Sequence, residues 1–366
     1  MMLAIMNCIR ELKWIVPATF MAGTAPVYYG LWLPMRVVTL FLPKKVFHFA
    51  DDIFYSMYQR LILFFFEHYP GVEVVFYGDY EEIKGKKENV LYICNHQCTI
   101  DWAVANMLAL RCNSLGQLRY VLKDELKYLP LYGYYFRQHG CVYVKRARKF
   151  VPKKTAEQVE QLRGLPFWLV IFPEGTRFNP TKKQVIEKSQ KYAESEGLEV
   201  FEHVLTPRVK ATHMGVNMLK GHIDALYDLT IAYSDSTDST GKRITAPSMA
   251  AIVGGSVSKI HVHVKRIDIN EVPTEEKALQ QWLHQRFSIK NKMMDQYYRD
   301  IKLTGDADLG KDGEHSPLSR WRTLPVALGF AAIFIPMMLT SIGRSLYLKY
   351  TVVGTITGIV WMLVRW

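Results

Sequence analysis

The chain has 366 residues, room for two or three domains at roughly 100–200 residues each, and carries 46 Lys plus Arg against 34 Asp plus Glu, a formal charge of +12. That excess favours an anionic partner such as phosphate or a lipid headgroup, while a hydrophobic share of 49% with a mean hydropathy of −0.02 excludes both a disordered chain and a polytopic channel. Five Cys in no paired pattern exclude a disulfide framework and fit a reducing compartment.

In chain order, residues 14–35 come first, 22 consecutive positions without a charge, enough to reach across a hydrocarbon core as a helix. Pro17, Pro26 and Pro34 interrupt that helix, so a broken hairpin dipping into one leaflet fits as well as a single span. Residues 1–69 are expected to be an uncleaved membrane anchor with residues 61–66 as a core or interfacial face. Residues 70–302 have α/β texture, with strands expected at 72–77, 90–94, 142–144, 167–172, 225–232 and 260–264. Residues 82–89 read as a charged turn, 235–241 as an exposed loop and 303–322 as a polar linker. Beyond the linker, residues 323–366 form a C-terminal hydrophobic segment. Its uncharged run 323–343 passes the length test for a span at 21 residues, and 350–364 is marginal at 15.

Three constellations carry chemistry. The expected strand 90–94 runs into Asn95, His96, Gln97, Cys98, Thr99, Ile100, Asp101 and Trp102. A His and an Asp five apart lie about 140° apart on a regular helix, so they pair only if His96 sits in the turn before a helix and Asp101 in its first turn. Asp101 would then fix the imidazole tautomer and leave the other nitrogen as a general base; a capping or core role for His96 is the alternative. The strand 167–172 ends in Phe172, Pro173, Glu174, Gly175, Thr176 and Arg177, where glycine permits close backbone approach and Arg177 offers a planar fork suited to phosphate. Gly140, Cys141, Val142, Tyr143, Val144, Lys145 and Arg146 form a short strand delivering two cations, and residues 145–154 hold six basic residues and no acidic one, suited to anionic headgroups.

Together these blocks make the sequence resemble the 1-acyl-sn-glycerol-3-phosphate acyltransferases of the wider glycerophospholipid acyltransferase group. N-H-Q-C-T-I-D-W matches the N-H-x4-D block, G-C-V-Y-V-K-R the G-x-x-[FY]-[IV]-x-R block and F-P-E-G-T-R the E-G-T-R block, with a looser fourth block at Leu205, Thr206, Pro207 and Arg208. Y-V-L-K, L-P-L-Y-G and the long hydrophobic tail look most like the epsilon type. The resemblance implies an α/β acyltransferase domain, a mixed sheet flanked by helices, between an N-terminal membrane anchor and C-terminal hydrophobic helices. It implies His96 and Asp101 as the catalytic pair, and Arg146, Glu174, Gly175, Thr176 and Arg177 as the acceptor-binding surface. It implies acyl-CoA as co-substrate, lysophosphatidic acid as acceptor and membrane lipids as surroundings, with neither metal nor redox cofactor. The oxyanion would find backbone N–H donors near the motif turn. The membrane implied is the endoplasmic reticulum, with mitochondria and nuclear envelope as alternatives, and the site faces the cytosol.

Several rival readings have residues behind them. Cys98 stands where many members carry Ser, which admits an acylated thiol activated by His96. A lysocardiolipin or lysophosphatidylglycerol acceptor, or a non-catalytic lipid-binding protein, would keep the same fold. His261 and His263 share one strand face and read as a core or surface pair rather than a metal site. The aromatic residues concentrate in membrane-like runs, which argues against nucleic acid.

Overall fold

The computed structural model describes the backbone of residues 2–145 and 152–365 and the side chains of residues 12–145 and 153–365. Its strands are β1 (Glu73–Gly78), β2 (Val90–Cys94), β3 (Leu118–Lys123), β4 (Val142–Val144), β5 (Trp168–Ile171), β6 (Ala225–Tyr233), β7 (Lys259–Asp268) and β8 (Glu314–His315). The chain folds into two compact units: Met1–His68, Ser114–Phe167 and Leu318–Trp366 form one, Tyr69–Asn113 and Trp168–Pro317 the other. Residues 114–167, expected inside the acyltransferase domain, thus cluster with the two ends of the chain.

The second unit is built on a mixed sheet in the order β5, β2, β6, β7, β1, β8. β2 is parallel to β5 and β6, β1 is parallel to β7, and β6–β7 and β1–β8 are antiparallel. β2 and β6 are buried along their whole length, which is why Val90–Cys94 reads as an unbroken apolar run rather than an alternation. The long helix Glu276–Thr304 covers one face through Leu279, Leu283, Phe287 and Met294, capped by Glu275, whose side chain accepts the Ala278 N–H, and closed by Gly305 at φ +83°. Its Arg286 and Lys290 neutralise Asp228, a carboxylate buried in β6. On the other face, Arg111 of the helix Asp101–Arg111 lies over Phe76, which stacks on Tyr80 at 4.2 Å.

The expected linker 303–322 is not a free tether over its first two thirds. β8 adds to the edge of β1, Ala307 and Leu309 are buried against Tyr77 and Tyr297, and Arg111 donates to the Ser316 carbonyl. A strap rich in Asp, Gly and Ser reads as linker because its few apolar anchors are isolated. The strands β3 and β8 were also not legible; Leu118–Lys123 carries Arg119 and Lys123, which hide an apolar run.

In the first unit the uncharged run 14–35 is two helices, Met2–Gly23 and Ala25–Val38. Pro26 supplies no N–H to continue the ladder, and the Thr24 hydroxyl donates to the Phe20 carbonyl at 2.9 Å. Residues 61–66 belong to core, since Leu61, Leu63 and Phe66 are buried. At the C-terminus the expected ranking of spans is reversed. The run 323–343 breaks after the helix Leu324–Leu339, because Thr340 is extended and its hydroxyl caps the next helix by accepting the Gly343 N–H at 3.1 Å. Ser341–Arg365 then absorbs Arg344 and Lys349, and among the described residues it is the one helix long and apolar enough to cross a membrane.

Candidate active site

The site lies at the C-terminal end of β2, where this interior strand of the second unit gives way to the turn 95–100 and the helix beginning at Asp101. The Asn95 side chain prolongs the β2–β6 ladder past its last backbone pair: its Nδ2 donates to the Ile231 carbonyl at 3.0 Å and its Oδ1 accepts the Ile231 N–H at 2.8 Å. Gln97 adds a second donor to the same carbonyl at 2.7 Å and accepts from Arg243 at 2.8 Å. A turn pinned this way has little freedom to move what it carries.

It carries His96. The imidazole Nδ1 lies 2.8 Å from Asp101 Oδ2, which also accepts the N–H groups of Gln97 and Cys98 at 2.8 and 3.0 Å. Asp101 is fully buried and acts only as acceptor here, so Nδ1 bears the proton and Nε2 the lone pair. The ring stacks on Phe172 at 4.5 Å between centroids, keeps 22% of its side-chain surface open, and its Nε2 has no partner among the described residues. An imidazole with one nitrogen anchored to a carboxylate and the other free is the arrangement a general base requires.

The block after β5 does something the sequence did not suggest. Glu174, expected on the acceptor-binding surface, is buried, with Oε1 accepting the His96 N–H at 2.7 Å and Oε2 the Leu205 N–H at 2.9 Å. Both oxygens serve backbone donors, so this carboxyl braces the motif turn. The Arg208 N–H donates to the Pro173 carbonyl at 2.9 Å, which docks the fourth block against the third. Burial pushes the Glu174 carboxyl up to about 8, against the two backbone N–H groups and Arg243, which pull it down. Its folded pKa stands above the value of about 4.3 for a free Glu, so the folded protein holds the extra proton between those values and stability is lost as pH rises through about 8. The difference in melting temperature between wild type and Glu174→Gln is therefore expected to move in favour of Gln from pH 5 to pH 9. Parallel melts in one buffer series measure it, and a pH-independent difference contradicts it.

Gly175 follows at φ +66°, a left-handed conformation that L side chains rarely adopt, and the space a Cβ would take lies 3.6 Å from the Arg208 side chain. Thr176 is half-buried in the same turn. Arg177 is exposed and donates to the Thr99 hydroxyl, which places a guanidinium at the mouth of the motif turn. Arg146 lies outside the described residues; Val142–Val144 and Lys145, which precede it, belong to the first unit.

One expectation changes and one rival reading falls. The N–H groups of His96, Gln97 and Cys98 are already committed to Glu174 and Asp101, so these three backbone donors of the turn do not form an oxyanion site. Cys98 is buried, its thiol donates to the Pro247 carbonyl at 2.9 Å, and burial pushes its pKa up to about 12. A thiol held protonated cannot serve as the nucleophile.

Metal-ligating atoms converge at Asp51, Asp52 and His139 in the first unit, all within 4.8 Å of one another. Their lone pairs are spoken for. His139 Nδ1 lies 2.6 Å from Asp51 and its Nε2 lies 2.9 Å from both Arg119 and the Leu118 carbonyl, Arg119 also donates to Asp52, and Trp32 donates to Asp51 at 2.7 Å. The Arg119 cation offsets part of the carboxylate charge a metal would otherwise balance. His261 bonds Tyr77 at 2.7 Å, in keeping with a core residue.

Comparison with known proteins follows the same lines. Residues 75–209 match the family model described as Acyltransferase, and residues 251–328 match the one described as Acyltransferase C-terminus. The chain is 41% identical over 367 aligned positions, covering all of both chains, to the 1-acyl-sn-glycerol-3-phosphate acyltransferase epsilon of Mus musculus. It is 30% identical to the probable 1-acyl-sn-glycerol-3-phosphate acyltransferase 5 of Arabidopsis thaliana, over 80% of this chain and 75% of that one. Among solved structures it is similar to the 1-acyl-sn-glycerophosphate acyltransferase PlsC of Thermotoga maritima, with a TM-score of 0.46 and 15% identity over 80% of this chain and 96% of that one.

Proposed function

The chain belongs to the 1-acyl-sn-glycerol-3-phosphate acyltransferase family, and from that premise we propose that it acylates the sn-2 hydroxyl of lysophosphatidic acid to give phosphatidic acid, with acyl-CoA as donor. The observation that carries the mechanism is the pair itself: Nδ1 of His96 held 2.8 Å from buried Asp101 while Nε2 stays unpartnered among the described residues. Nε2 takes the proton of the acceptor hydroxyl as its oxygen attacks the thioester carbonyl. The tetrahedral intermediate collapses by breaking the C–S bond, and the proton passes from His96 to the departing CoA sulfur. Each atom and proton is accounted for without a covalent acyl-enzyme, a metal or a redox cofactor. Arg177, tethered through Thr99 to the His96 turn, is suited to hold the acceptor phosphate and so fix the distance between hydroxyl and base. Arg208, exposed beside Gly175, would be its second cation.

The acceptor enters from a lipid surface on this reading. Support comes from the first unit, where Val38, Phe41 and Phe49 expose 62%, 86% and 71% of their surface beside Lys44 and Lys45, and from the apolar helix Ser341–Arg365. The N-terminal helices would serve as an anchor in the membrane of the endoplasmic reticulum, with the site toward the cytosol where acyl-CoA is supplied. The four described cysteines are all free thiols, which suits a reducing compartment.

Acyl transfer from radiolabelled oleoyl-CoA to a panel of lysophospholipids tests this. Lysophosphatidic acid is expected to be acylated in preference to lysophosphatidylglycerol and lysocardiolipin, because a phosphomonoester offers the arginines more charge and more free oxygens than a phosphodiester. A preference for either diester reassigns the acceptor, and inertness on the whole panel favours a non-catalytic lipid-binding role.

A further inference from the structure

We infer that Tyr233 is a positioning residue for the reaction: its phenolic hydroxyl donates to Asp101 Oδ1 at 2.6 Å and so sets the plane in which Asp101 holds His96. This rests on His96 acting as the base, as proposed above.

The placement follows from strand lengths. β2 ends at Cys94, opposite Leu229 of β6, but β6 continues to Tyr233. Residues 230–233 therefore overhang the sheet on that side and form a ledge, to which the motif turn is fastened at Ile231 by Asn95 and Gln97. Alternation along the strand sends Asp228 toward the helix Glu276–Thr304, where it meets Arg286, and sends Tyr233, an odd number of positions on, to the opposite face, where the helix at Asp101 begins. One strand thus holds both the backbone of the turn and the carboxylate that orients its imidazole.

The two oxygens of Asp101 are used unequally. Oδ2 receives three donors, from His96 Nδ1, Gln97 N and Cys98 N, whereas Oδ1 receives Tyr233 alone among the described residues. Tyr233 and Asp101 are both fully buried, so no solvent competes for Oδ1. Burial and the neighbouring Asp101 charge raise the Tyr233 hydroxyl well above its ordinary value, which keeps it a donor throughout the working range of pH. Without that donor, the carboxylate is pinned at one oxygen only and is free to rotate about the bond to its Cβ, carrying the imidazole plane with it. Errors of about 1 Å in such placements cost on the order of a hundredfold in rate, and loss of one neutral donor is expected to produce a smaller effect.

Tyr233→Phe removes the hydroxyl and leaves the ring. Steady-state kinetics on full-length enzyme with oleoyl-CoA and lysophosphatidic acid should show kcat lowered about tenfold and KM unchanged within about twofold, the signature of an interaction that matters in the transition state. The same substitution in an Asp101→Asn background should cost nothing further, because the partner it positions has already lost its charge. A Tyr233→Phe enzyme with wild-type kcat, or one that loses the same factor in both backgrounds, overturns the inference and leaves Tyr233 a structural residue. Should Tyr233→Phe fail to fold, 3-fluorotyrosine at position 233 keeps ring and hydroxyl and changes donor strength: a changed kcat at constant KM supports the role, and an unchanged kcat overturns it. His96→Ala in the same preparation separates the failures. If it stays active, the base assignment falls and this inference with it; if it is inactive while Tyr233→Phe matches wild type, only the role of Tyr233 falls.

Discussion

Replacing His96 by Ala is expected to lower kcat by about 10²- to 10⁴-fold, the range a positioned general base contributes. The imidazole is held by Asp101 on one side and by stacking on Phe172 on the other, and 22% of its side chain remains open, so the substitution removes the free Nε2 and little packing. The melting temperature should therefore move little, and KM for lysophosphatidic acid should stay near wild type because the arginines proposed to hold the phosphate are untouched. Asp101→Asn should fall in the same direction for another reason. The amide carries no charge and has one accepting oxygen: with its NH2 toward Tyr233 it faces that donor with another, and with its NH2 toward His96 it removes the acceptor of the Nδ1 proton, so the imidazole is no longer held by a carboxylate in one tautomer. Single-turnover acyl transfer with both variants, beside a thermal melt, measures chemistry apart from stability. A His96→Ala enzyme that retains more than about a tenth of wild-type kcat is incompatible with general-base catalysis by this residue.

How much of this the sequence discloses depends on the range of the interaction. His96 and Asp101 are five residues apart, and the geometric condition for their pairing, a turn followed at once by a helix, can be read from strand, polar turn and apolar run in succession. The strands Val90–Cys94 and Val142–Val144 are legible at their observed limits because both are apolar on each face. Glu174 is different. An acidic residue in a turn beside Arg177 suggests a surface charge, and nothing local announces that its partners are N–H groups 78 residues before it and 31 after it. Tyr233 is hidden in the same way, 132 residues from Asp101 at the end of a strand buried along its whole length. The C-terminal helices are not legible for want of one detail: a run of uncharged residues gives the length of a hydrophobic segment but not the place where Thr340 ends one helix and caps the next. Arg344 and Lys349 look like boundaries in a hydropathy pattern, whereas a helix passes through them when its backbone bonds are satisfied.

Glu174→Ala is expected to separate activity from stability. The substitution orphans the N–H groups of His96 and Leu205, each costing roughly 1–3 kcal/mol if it stays buried. Against that stands relief. A carboxyl whose pKa is pushed up to about 8 by burial destabilises the fold at pH 7 by roughly 3 kcal/mol relative to a neutral group, and that cost vanishes with the side chain. The two effects are of similar size and opposite sign, so the net loss of stability is expected to be small, within about 3 kcal/mol. Activity has no such offset. The bond that the His96 N–H donates to Glu174 fixes the backbone of His96 itself, and releasing it lets the imidazole drift relative to Asp101, a displacement for which a hundredfold loss in kcat is a fair magnitude. Glu174→Gln retains one good acceptor and should sit between the two. Denaturation midpoints and kcat measured on the same samples decide the matter: a fall in kcat far exceeding the fall in stability supports Glu174 as the brace of the catalytic turn. A raised KM for lysophosphatidic acid with kcat preserved would return it to the acceptor surface.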